Sequence, residues 1–439
     1  MRFAYQGGVA LAALVAGTLA ASAETKLTIA TVNNGDMIVM QKLSTAFEKA
    51  NPDIKLDWVV LEENVLRQRV TTDIATKGGS FDVLTIGAYE APIWGKQGWL
   101  VPLDDLGADY DYADLVPQVK DGLSVGGKMY AAPFYAESSL TFYRKDLFEK
   151  AGLKMAEKPT YAQIAEYAEK LNDKTGGVYG ICLRGKPGWG ENMAFLGTAA
   201  VAYGGEWFNE KWQPQFTSKP WEQTLAWYLD VMKKAGPPGA AANGYNENRA
   251  LFSTGKCGMW IDATVTAGYL YNPKESQVAD KVAFAPAPVT DANPKASGWF
   301  WSWALGVPAS TQHADAAKKF VKWATSKDYI KMVGETEGWV SAPPGTRLST
   351  YSNPDYQKAA PFADFVLKAI QTTNPAKPTV NPVPYTGVQF ASIPEFQGIG
   401  TTAGQDVAAA LAGKDSGKDA LAKAQASAER TMKQAGYPK

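Results

Sequence analysis

Three tryptophans spaced two residues apart carry the densest chemical signal in the sequence. Trp299, Trp301 and Trp303 lie within residues 298–307. Because alternate side chains of a strand share one face, these indoles would line the same side of a strand. An indole offers a flat apolar face and one N–H donor, which suits the C–H faces and hydroxyls of sugars and polyols. A buried core strand would give the same pattern, but three tryptophans together favour a ligand-binding wall.

Polar side chains directly follow two predicted strands. Asn33 and Asn34 come after the first strand, and Tyr89 and Glu90 come just after the third. Ligands of open parallel sheets bind outside the carboxyl ends of the strands, so these side chains are candidates for recognising hydroxyls. A capped turn and a surface acid are the structural alternatives.

Two acidic residues lie within apolar segments of the sequence. Glu137 follows Pro-Phe-Tyr-Ala, and Asp262 ends Met-Trp-Ile-Asp. A buried acid needs a partner. A ligand hydroxyl, or an arginine such as Arg184 or Arg347, would satisfy each of them.

The hydrophobic pattern predicts the elements that position these residues. Strands at 26–32, 54–60 and 81–86 alternate with helices at 37–50 and 66–74. Strand, helix, strand, helix, strand in about 60 residues indicates a parallel sheet with right-handed crossovers. An α/β lobe therefore opens the protein.

The same pattern resumes further along the chain. Strands are expected at 140–144 and 178–183, and Thr160 with Gln163 fits a capping box at the start of a helix between them. A second α/β lobe follows from this pattern. An alanine- and lysine-rich helical tail is expected from Gln405 onward.

The beginning of the chain indicates where the protein works. Residues 1–23 contain Arg2, an apolar stretch and the small-residue end Ala-Ser-Ala, which is a secretory signal pattern with cleavage expected before Glu24. We therefore expect a periplasmic protein. Cys182 and Cys257 are the only cysteines, and after export they form one disulfide or remain buried thiols.

Composition and motifs exclude several functions. Lys plus Arg and Asp plus Glu both number 44, so no net charge recruits nucleic acid or an anionic membrane. A single histidine and the absence of nucleotide, serine-hydrolase and zinc motifs disfavour the usual enzyme classes, and we predict no catalytic residue, metal or cofactor. A secreted glycan-degrading enzyme with a carboxylate pair is the alternative.

An ordered series of segments resembles the bacterial extracellular solute-binding proteins, family 1, the sugar receptors of ABC importers. The resemblance spans nearly all of the chain after the signal segment and is carried by residues 47–55, 81–83, 98–105, 127–133, 143–148 and 255–259. The tryptophan-rich strand is most similar to the subgroup that binds sorbitol and mannitol.

The resemblance implies an α/β protein with the two-lobe periplasmic binding protein fold, class II, and a ligand cleft between lobes joined by a hinge. Lobe I would comprise 24–135 plus about 300–340, and lobe II 136–299 plus about 341–439. The implied function is a monomeric receptor that captures a small neutral polyol or sugar by lobe closure and delivers it to the membrane permease.

The resemblance also assigns site residues by position. The expected ligand-binding residues are Asn33, Asn34, Tyr89, Glu90, Glu137, Arg184, Trp189, Asn192, Asp262, Trp299, Trp301, Trp303, Trp339 and Arg347. One position departs from the family, since many sugar binders have Asp or Asn in place of Tyr89. We expect Trp303→Ala or Asp262→Ala to weaken polyol binding and to leave thermal unfolding of the ligand-free protein nearly unchanged.

Overall fold

The computed structural model describes residues 24–294 and 298–438, so the predicted signal segment lies outside the described residues. Two sheets and a two-stranded hairpin organise this part of the chain. The strands are β1 (Thr25–Val32), β2 (Ile54–Leu61), β3 (Val83–Gly87), β4 (Ser124–Val125), β5 (Lys128–Met129), β6 (Ala131–Glu137), β7 (Ser139–Arg144), β8 (Tyr179–Cys182), β9 (Cys257–Ala263), β10 (Val282–Pro286) and β11 (Trp301–Gly306).

Helices cover both sheets. In chain order they are α1 (Gly35–Leu43), α2 (Thr45–Ala50), α3 (Glu63–Thr76), α4 (Glu90–Lys96), α5 (Pro117–Gly122), α6 (Lys145–Lys150), α7 (Tyr161–Leu171), α8 (Asn192–Ala202), α9 (Lys219–Ala235), α10 (Tyr245–Ser253), α11 (Thr266–Leu270), α12 (Ala314–Ala324), α13 (Lys327–Thr336), α14 (Leu348–Ser352), α15 (Pro354–Ala359), α16 (Ala363–Thr372), α17 (Phe396–Leu411) and α18 (Gly417–Gln434). None of the helices in the described ranges is both long and apolar enough to cross a membrane.

The first sheet has the strand order β2-β1-β3-β11-β6. β1 runs parallel to β2 and β3, as the alternation of strands and helices predicts. β11 is antiparallel to both β3 and β6, so the tryptophan segment enters the middle of this sheet from far along the sequence. The sheet is therefore mixed, and its carboxyl edge includes the amino end of β11.

The second sheet has the order β10-β7-β9-β8. β7 is antiparallel to its two neighbours, and β8 is parallel to β9. The C-terminal helices α17 and α18 pack against α8 and α9 on this half, whereas α12 packs on the first sheet. The strands thus form two α/β halves built from discontinuous segments; the residue limits of the two lobes stay a prediction.

Local hydrogen bonds explain where several helices begin and end. The predicted capping box is present, with Gln163 N donating to Thr160 Oγ1 at 3.2 Å and Thr160 N donating to Gln163 Oε1 at 3.0 Å. The helix predicted over 37–50 is instead two helices. The break falls at Ser44, whose hydroxyl donates to the Gln41 carbonyl at 2.7 Å and so competes with helical hydrogen bonding.

Cys182 and Cys257 form a disulfide with a Cα–Cα distance of 5.9 Å. The bond ties the end of β8 to the start of β9, two parallel neighbours in the second sheet. The alternative of two buried thiols is therefore wrong.

Candidate ligand-binding site

A cavity of about 160 Å³ lies between the two halves. This volume is below the roughly 300–1,000 Å³ of pockets for drug-sized ligands, so it suits one small molecule. Its side chains come from both sheets, from the N-terminal parts of α3 and α10 and from loops, and those used below are Asn33, Asn34, Glu63, Arg67, Tyr135, Glu137, Arg184, Trp189, Glu191, Tyr245, Asn246, Trp299, Trp301, Trp303 and Gln389.

Tryptophans form one wall of this cavity. Trp299, Trp301 and Trp303 all line it; Trp301 and Trp303 alternate along β11 as predicted, whereas Trp299 lies just before the strand begins. Trp189 approaches from the other half, with its ring centroid 5.6 Å from that of Trp301 in an edge-on arrangement. Trp301 and Trp303 lie 5.4 Å apart and are nearly perpendicular. The wall therefore presents both ring faces and ring edges to a ligand.

Two of these indoles carry N–H groups without a partner. Trp189 and Trp299 are each 2% exposed, and the Nε1 atom of each makes no hydrogen bond within the described residues. A buried donor without an acceptor is costly and uncommon. A ligand oxygen that reaches either nitrogen would supply the missing acceptor.

Arg67, which the sequence did not single out, lines the cavity and stacks on the tryptophan wall. Its guanidinium carbon is 4.1 Å from the ring centroid of Trp189, and it also lies over Trp301 and Trp303 at 4.9 and 4.7 Å. Nε and Nη2 donate to Glu63, and Nη1 donates to Glu90. Three of its five N–H groups are thus used within the protein.

A second arginine, Arg184, is held in place by the buried acid Asp262. Arg184 donates from Nε and Nη2 to the two carboxylate oxygens of Asp262, at 2.8 and 2.6 Å, and from Nη1 to the Gly190 carbonyl at 2.8 Å. Asp262 is fully buried and also accepts from Trp260 Nε1 at 3.0 Å. Asp262 therefore positions Arg184 and does not itself line the cavity.

More carboxyl groups than cationic side chains line the cavity. Glu191 lies 3.5 Å from Arg184, and burial raises the pKa of Glu191 to about 8 despite the lowering effect of that arginine. Glu137 is 6% exposed, and burial raises its pKa well above the usual value. A neutral ligand with many hydroxyls can donate to such groups without adding charge.

The end of β1 brings two asparagines to the cavity. Asn34 has a double role, because Oδ1 accepts from Met37 N at 2.9 Å as the cap of α1, and Nδ2 donates to the Tyr135 hydroxyl at 3.1 Å. The Asn33 carbonyl accepts from Asn246 Nδ2 at 3.0 Å. The two asparagines therefore form a capped turn and also line the cavity, so the two interpretations hold together.

Direct bonds join the two halves around the cavity. Asn64 Nδ2 donates to the Pro187 carbonyl at 3.0 Å, and Lys186 Nζ pairs with Glu62 at 2.5 Å. On the opposite side, the Tyr269 hydroxyl donates to an Asp36 carboxylate oxygen at 2.6 Å. These contacts describe two halves closed over the cavity.

Tyr89 and Glu90 follow β3 as predicted, but they lie behind the tryptophan wall. The Tyr89 ring packs 5.0 Å from Trp189, and its hydroxyl donates to the Ile393 carbonyl at 2.9 Å. Glu90 is paired with Arg67. The antiparallel strand β11 passes beside the end of β3, and Trp301 covers that end, so the space that a ligand would occupy there is filled.

Three further predicted residues lie outside the cavity lining. Asn192 donates to the Gly404 carbonyl at 2.8 Å and accepts from Gly188 N at 3.3 Å, which fixes the loop that carries Trp189. Arg347 is fully buried, and its guanidinium donates to backbone carbonyls of the first half. Trp339 is half-buried, and its ring lies against Gly334.

Sequence reasoning missed several residues that line the cavity. Arg67 had one local signal, a glutamate four residues earlier, but such a pair is usually a surface feature. Tyr135 lies opposite Trp303 in the β6–β11 pairing. Gln389 makes two hydrogen bonds to the Phe300 backbone: Nε2 donates to the carbonyl at 2.7 Å, and Oε1 accepts from the backbone N–H at 3.3 Å. These last two positions depend on pairings between distant parts of the chain.

Two α/β halves closed over a small cavity with aromatic and polar walls define a solute-binding protein of the two-lobe type. The family comparison agrees with this class. The chain belongs to the bacterial extracellular solute-binding protein family, whose model matches residues 34–331. The predicted fold class and the prediction of a binding protein are both confirmed, and the glycan-degrading enzyme is not supported.

The chain is similar to proteins with polyol names and ligands. It is 56% identical over 433 residues to a mannitol-binding protein of Pseudomonas aeruginosa, covering 98% of each chain. It is 62% identical to an ABC transporter solute-binding protein of Agrobacterium vitis S4 solved with D-mannitol, with a TM-score of 0.93 over 94% of this chain and 100% of that one. A ribitol complex from Agrobacterium radiobacter K84 has 26% identity and a TM-score of 0.83, over 93% and 99%.

Proposed function

We propose that this protein captures a hexitol, mannitol or sorbitol, or a closely related sugar, and delivers it to the permease subunits of an ABC importer. The observation that carries the proposal is the pair of buried indole N–H groups, on Trp189 and Trp299, that lack acceptors among the described residues beside the cavity. A hydroxyl oxygen accepts such a donor while the C–H groups of the same ligand pack on the rings.

The charges of the cavity also favour a neutral ligand. Each arginine already gives three N–H bonds to the protein and is ion-paired with its acids, so neither offers an unbalanced positive charge to an anionic ligand, and two N–H groups on each remain for hydroxyls. Glu63 can accept hydrogen bonds from ligand hydroxyls, and Glu137 and Glu191, whose pKa values are raised by burial, can accept or donate them. An amino acid or a sugar acid would bring an anionic group next to these acids.

The named relatives support the polyol class. The two that are more than half identical to this chain are a mannitol-binding protein and a protein solved with D-mannitol. We assign the contacts to the ligand to residues that line the cavity in this chain, which include eight of the residues expected from the sequence: Asn33, Asn34, Glu137, Arg184, Trp189, Trp299, Trp301 and Trp303.

Location and delivery complete the proposal. The N-terminal segment 1–23 acts as a signal peptide cleaved before Glu24, and the monomeric protein works in the periplasm. Lobe I consists of 24–135 with about 300–340, and lobe II of 136–299 with about 341–439. Closure of the lobes on the ligand gives the form that the permease recognises.

Isothermal titration calorimetry of the ligand-free protein tests the proposal. We expect mannitol or sorbitol to bind with about −8 kcal/mol, in the micromolar range, and to raise the melting temperature in proportion to the logarithm of its concentration. Disaccharides and amino acids serve as controls and should neither bind nor stabilise. Binding of an amino acid or disaccharide in preference to every hexitol would contradict the proposal.

A further inference from the structure

Glu137 is a carboxyl group of the cavity that the contacts described so far leave unused. It ends β6 and pairs with Trp301 across the sheet, so both side chains lie on the same face. Trp301 lines the cavity, and Glu137 lines it too with 6% of its surface exposed. The carboxyl group therefore belongs to the face that a ligand would contact.

The cations of the cavity are engaged with other acids. Arg184 holds Asp262, Arg67 holds Glu63 and Glu90, and Lys186 holds Glu62. Within residues 24–294 and 298–438, the Glu137 carboxyl has neither a hydrogen-bond donor nor an ion-pair partner at bonding distance. An ionised carboxylate in such a position is strongly disfavoured.

Acidic groups dominate the surroundings of Glu137. The charged and titratable groups that face it are Asp36 and Glu63 from the first half, Tyr135 on its own strand, and Arg184, Glu191, Tyr245 and Asp262 from the second half. Burial raises the pKa of Glu137, Arg184 lowers it, and Asp262, Glu63 and Asp36 raise it further. Burial and these acids oppose Arg184, although Asp262 is itself paired with Arg184 and Glu63 with Arg67, so burial is the largest cause.

We propose that Glu137 is the neutral acid in the ligand complex and donates its O–H to a hydroxyl oxygen of the bound polyol. This inference rests on the proposed function. The proton comes from solvent and stays covalently attached to Glu137, so no group is transferred to the ligand. Polyol binding is thereby linked to the protonated form of the protein.

This role makes Glu137 a residue that determines specificity. A protonated carboxyl requires an oxygen lone pair on the ligand, whereas the ionised neighbours require a ligand O–H donor. A hydroxyl satisfies both kinds of partner. A deoxyhexitol that lacks the hydroxyl at this position leaves the buried acid without an acceptor, and we expect it to bind more weakly.

The first test uses the unmodified protein and mannitol over about pH 6 to 10, with circular dichroism to verify folding at each pH. A ligand that binds only the protonated form loses affinity as the pH rises through the Glu137 pKa of the free protein, by up to about tenfold per pH unit. Calorimetry in buffers of different ionisation enthalpy should then give an uptake approaching one proton per mannitol on the falling limb.

Two isosteric variants identify the group. Glu137→Gln retains an N–H donor but cannot ionise. The uptake of one proton per mannitol should therefore disappear, together with the fall in affinity that this proton causes as the pH rises. Glu191→Gln is the matched control, because it removes a second acid of the cavity with an elevated pKa; the proton uptake of the Glu137 step should persist in it. Infrared difference spectra of the complex should show a protonated-carboxyl carbonyl band that disappears in Glu137→Gln.

The results separate this inference from the proposed function. Mannitol that binds with the same affinity at every pH and without proton uptake overturns the role of Glu137 and leaves the polyol receptor intact. An uptake that disappears in Glu191→Gln but remains in Glu137→Gln also overturns it. Failure of every polyol to bind at any pH would instead count against the proposed function. If Glu137→Gln does not fold, the proton uptake and the infrared band of the unmodified protein still test whether a carboxyl group is protonated in the complex.

Discussion

The Trp301 indole lies directly over the Cα of Gly87. A Cβ atom built on Gly87 would be 2.1 Å from Cζ2 of Trp301, which is closer than any real contact. Gly87 ends β3 and pairs with Trp303, so the glycine opens the space on the sheet face that the indole fills. The tryptophan wall of the cavity therefore depends on a residue without a side chain in the neighbouring strand.

Gly87→Ala should displace Trp301 and weaken binding of mannitol by about tenfold or more, because the added methyl overpacks a site with no free volume. We also expect a loss of about 1–3 kcal/mol in the free energy of unfolding. Titration calorimetry and urea denaturation measure the two effects. Gly398→Ala is the control, since Gly398 lies in α17 with no atom within 4 Å of a new Cβ. Unchanged affinity in Gly87→Ala would contradict the prediction.

Trp299→Phe removes the indole N–H and makes the ring smaller. The buried donor has no partner among the described residues, so the variant loses no internal hydrogen bond, and the free energy of unfolding should fall only by the cost of the smaller ring. Loss of one hydrogen bond to the ligand should weaken mannitol binding by about 0.5–1.5 kcal/mol, or roughly 2- to 10-fold. Trp207→Phe is matched to it, because Trp207 Nε1 already donates to the Val388 carbonyl at 3.1 Å outside the cavity. We expect Trp207→Phe to lose more stability than Trp299→Phe and to keep its affinity; the reverse pattern would contradict the assignment.

Local patterns were sufficient for much of the fold and for the tryptophan wall. Alternation predicts that Trp299, Trp301 and Trp303 share a face, and it needs no knowledge of the neighbouring strands. The same pattern does not predict where that face lies in the sheet. Because β11 enters the first sheet antiparallel between β3 and β6, it covers the end of β3, and Tyr89 and Glu90 lie behind it. A rule for open parallel sheets cannot anticipate a strand that arrives from so far along the chain.

The burial of Asp262 changes what we expect of Asp262→Ala. The sequence suggested a variant with normal unfolding, but the carboxylate is fully buried and holds Arg184 through two bonds. Its removal leaves the buried guanidinium with only Glu191, at 3.5 Å, as a charged partner, so the free energy of unfolding should fall, by at most about 3–5 kcal/mol. Urea denaturation of the ligand-free protein measures this loss. Adding Arg184→Met should restore part of the stability without restoring affinity; a stable single variant would contradict the ion-pair argument.

Asp36 predicts a pH dependence of stability with a defined sign. Burial raises its pKa from 3.8 to about 6, against the lowering effect of the Tyr269 hydroxyl and Arg249. A group whose pKa is higher in the folded state stabilises the protein fully below pH 3.8, and this contribution is lost as the pH rises through about 6. Asp36→Asn, which resembles the neutral acid, should therefore be more stable than the unmodified protein near pH 7, by at most about 3 kcal/mol.

Melting temperatures of both proteins between about pH 4 and 7 check the Asp36 prediction. The two curves should converge at the acidic end and separate as the pH rises. Asp280→Asn, a change at an exposed acid, should follow the unmodified protein throughout. A separation that grows toward low pH would have the wrong sign for a raised pKa.

The arginines show why the site could be predicted only in part. Arg184 was proposed as a partner for a buried acid, and the acid that it holds is Asp262. Arg67 lies on α3 beside the apolar residues that pack on the sheet, where a charged side chain is normally solvated. Its burial depends on Glu90 from β3–α4, on Trp189 from the other half and on the tryptophans of β11. Only the folded chain brings these four segments together.

Arg67 therefore has two roles that a pair of variants can separate. Arg67→Met leaves the 2%-exposed side chain of Glu90 without its cation, so the free energy of unfolding should fall by about 3–5 kcal/mol. The same variant loses the two guanidinium N–H groups not used by the protein and the charge that stacks on Trp189, so mannitol binding should weaken by about tenfold or more.

Arg67→Met with Glu90→Gln distinguishes structural support from ligand contact. The neutral glutamine side chain of Glu90→Gln can still accept from Gly87 N, as Glu90 does at 2.9 Å, and only the more exposed Glu63 is left without its arginine. Stability should therefore recover in large part, whereas affinity should stay low because the guanidinium is still missing. Urea denaturation and titration calorimetry of the single and double variants give the two quantities. Recovery of affinity together with stability would mean that Arg67 acts only by holding the tryptophan wall in place, and that its N–H groups do not reach the ligand.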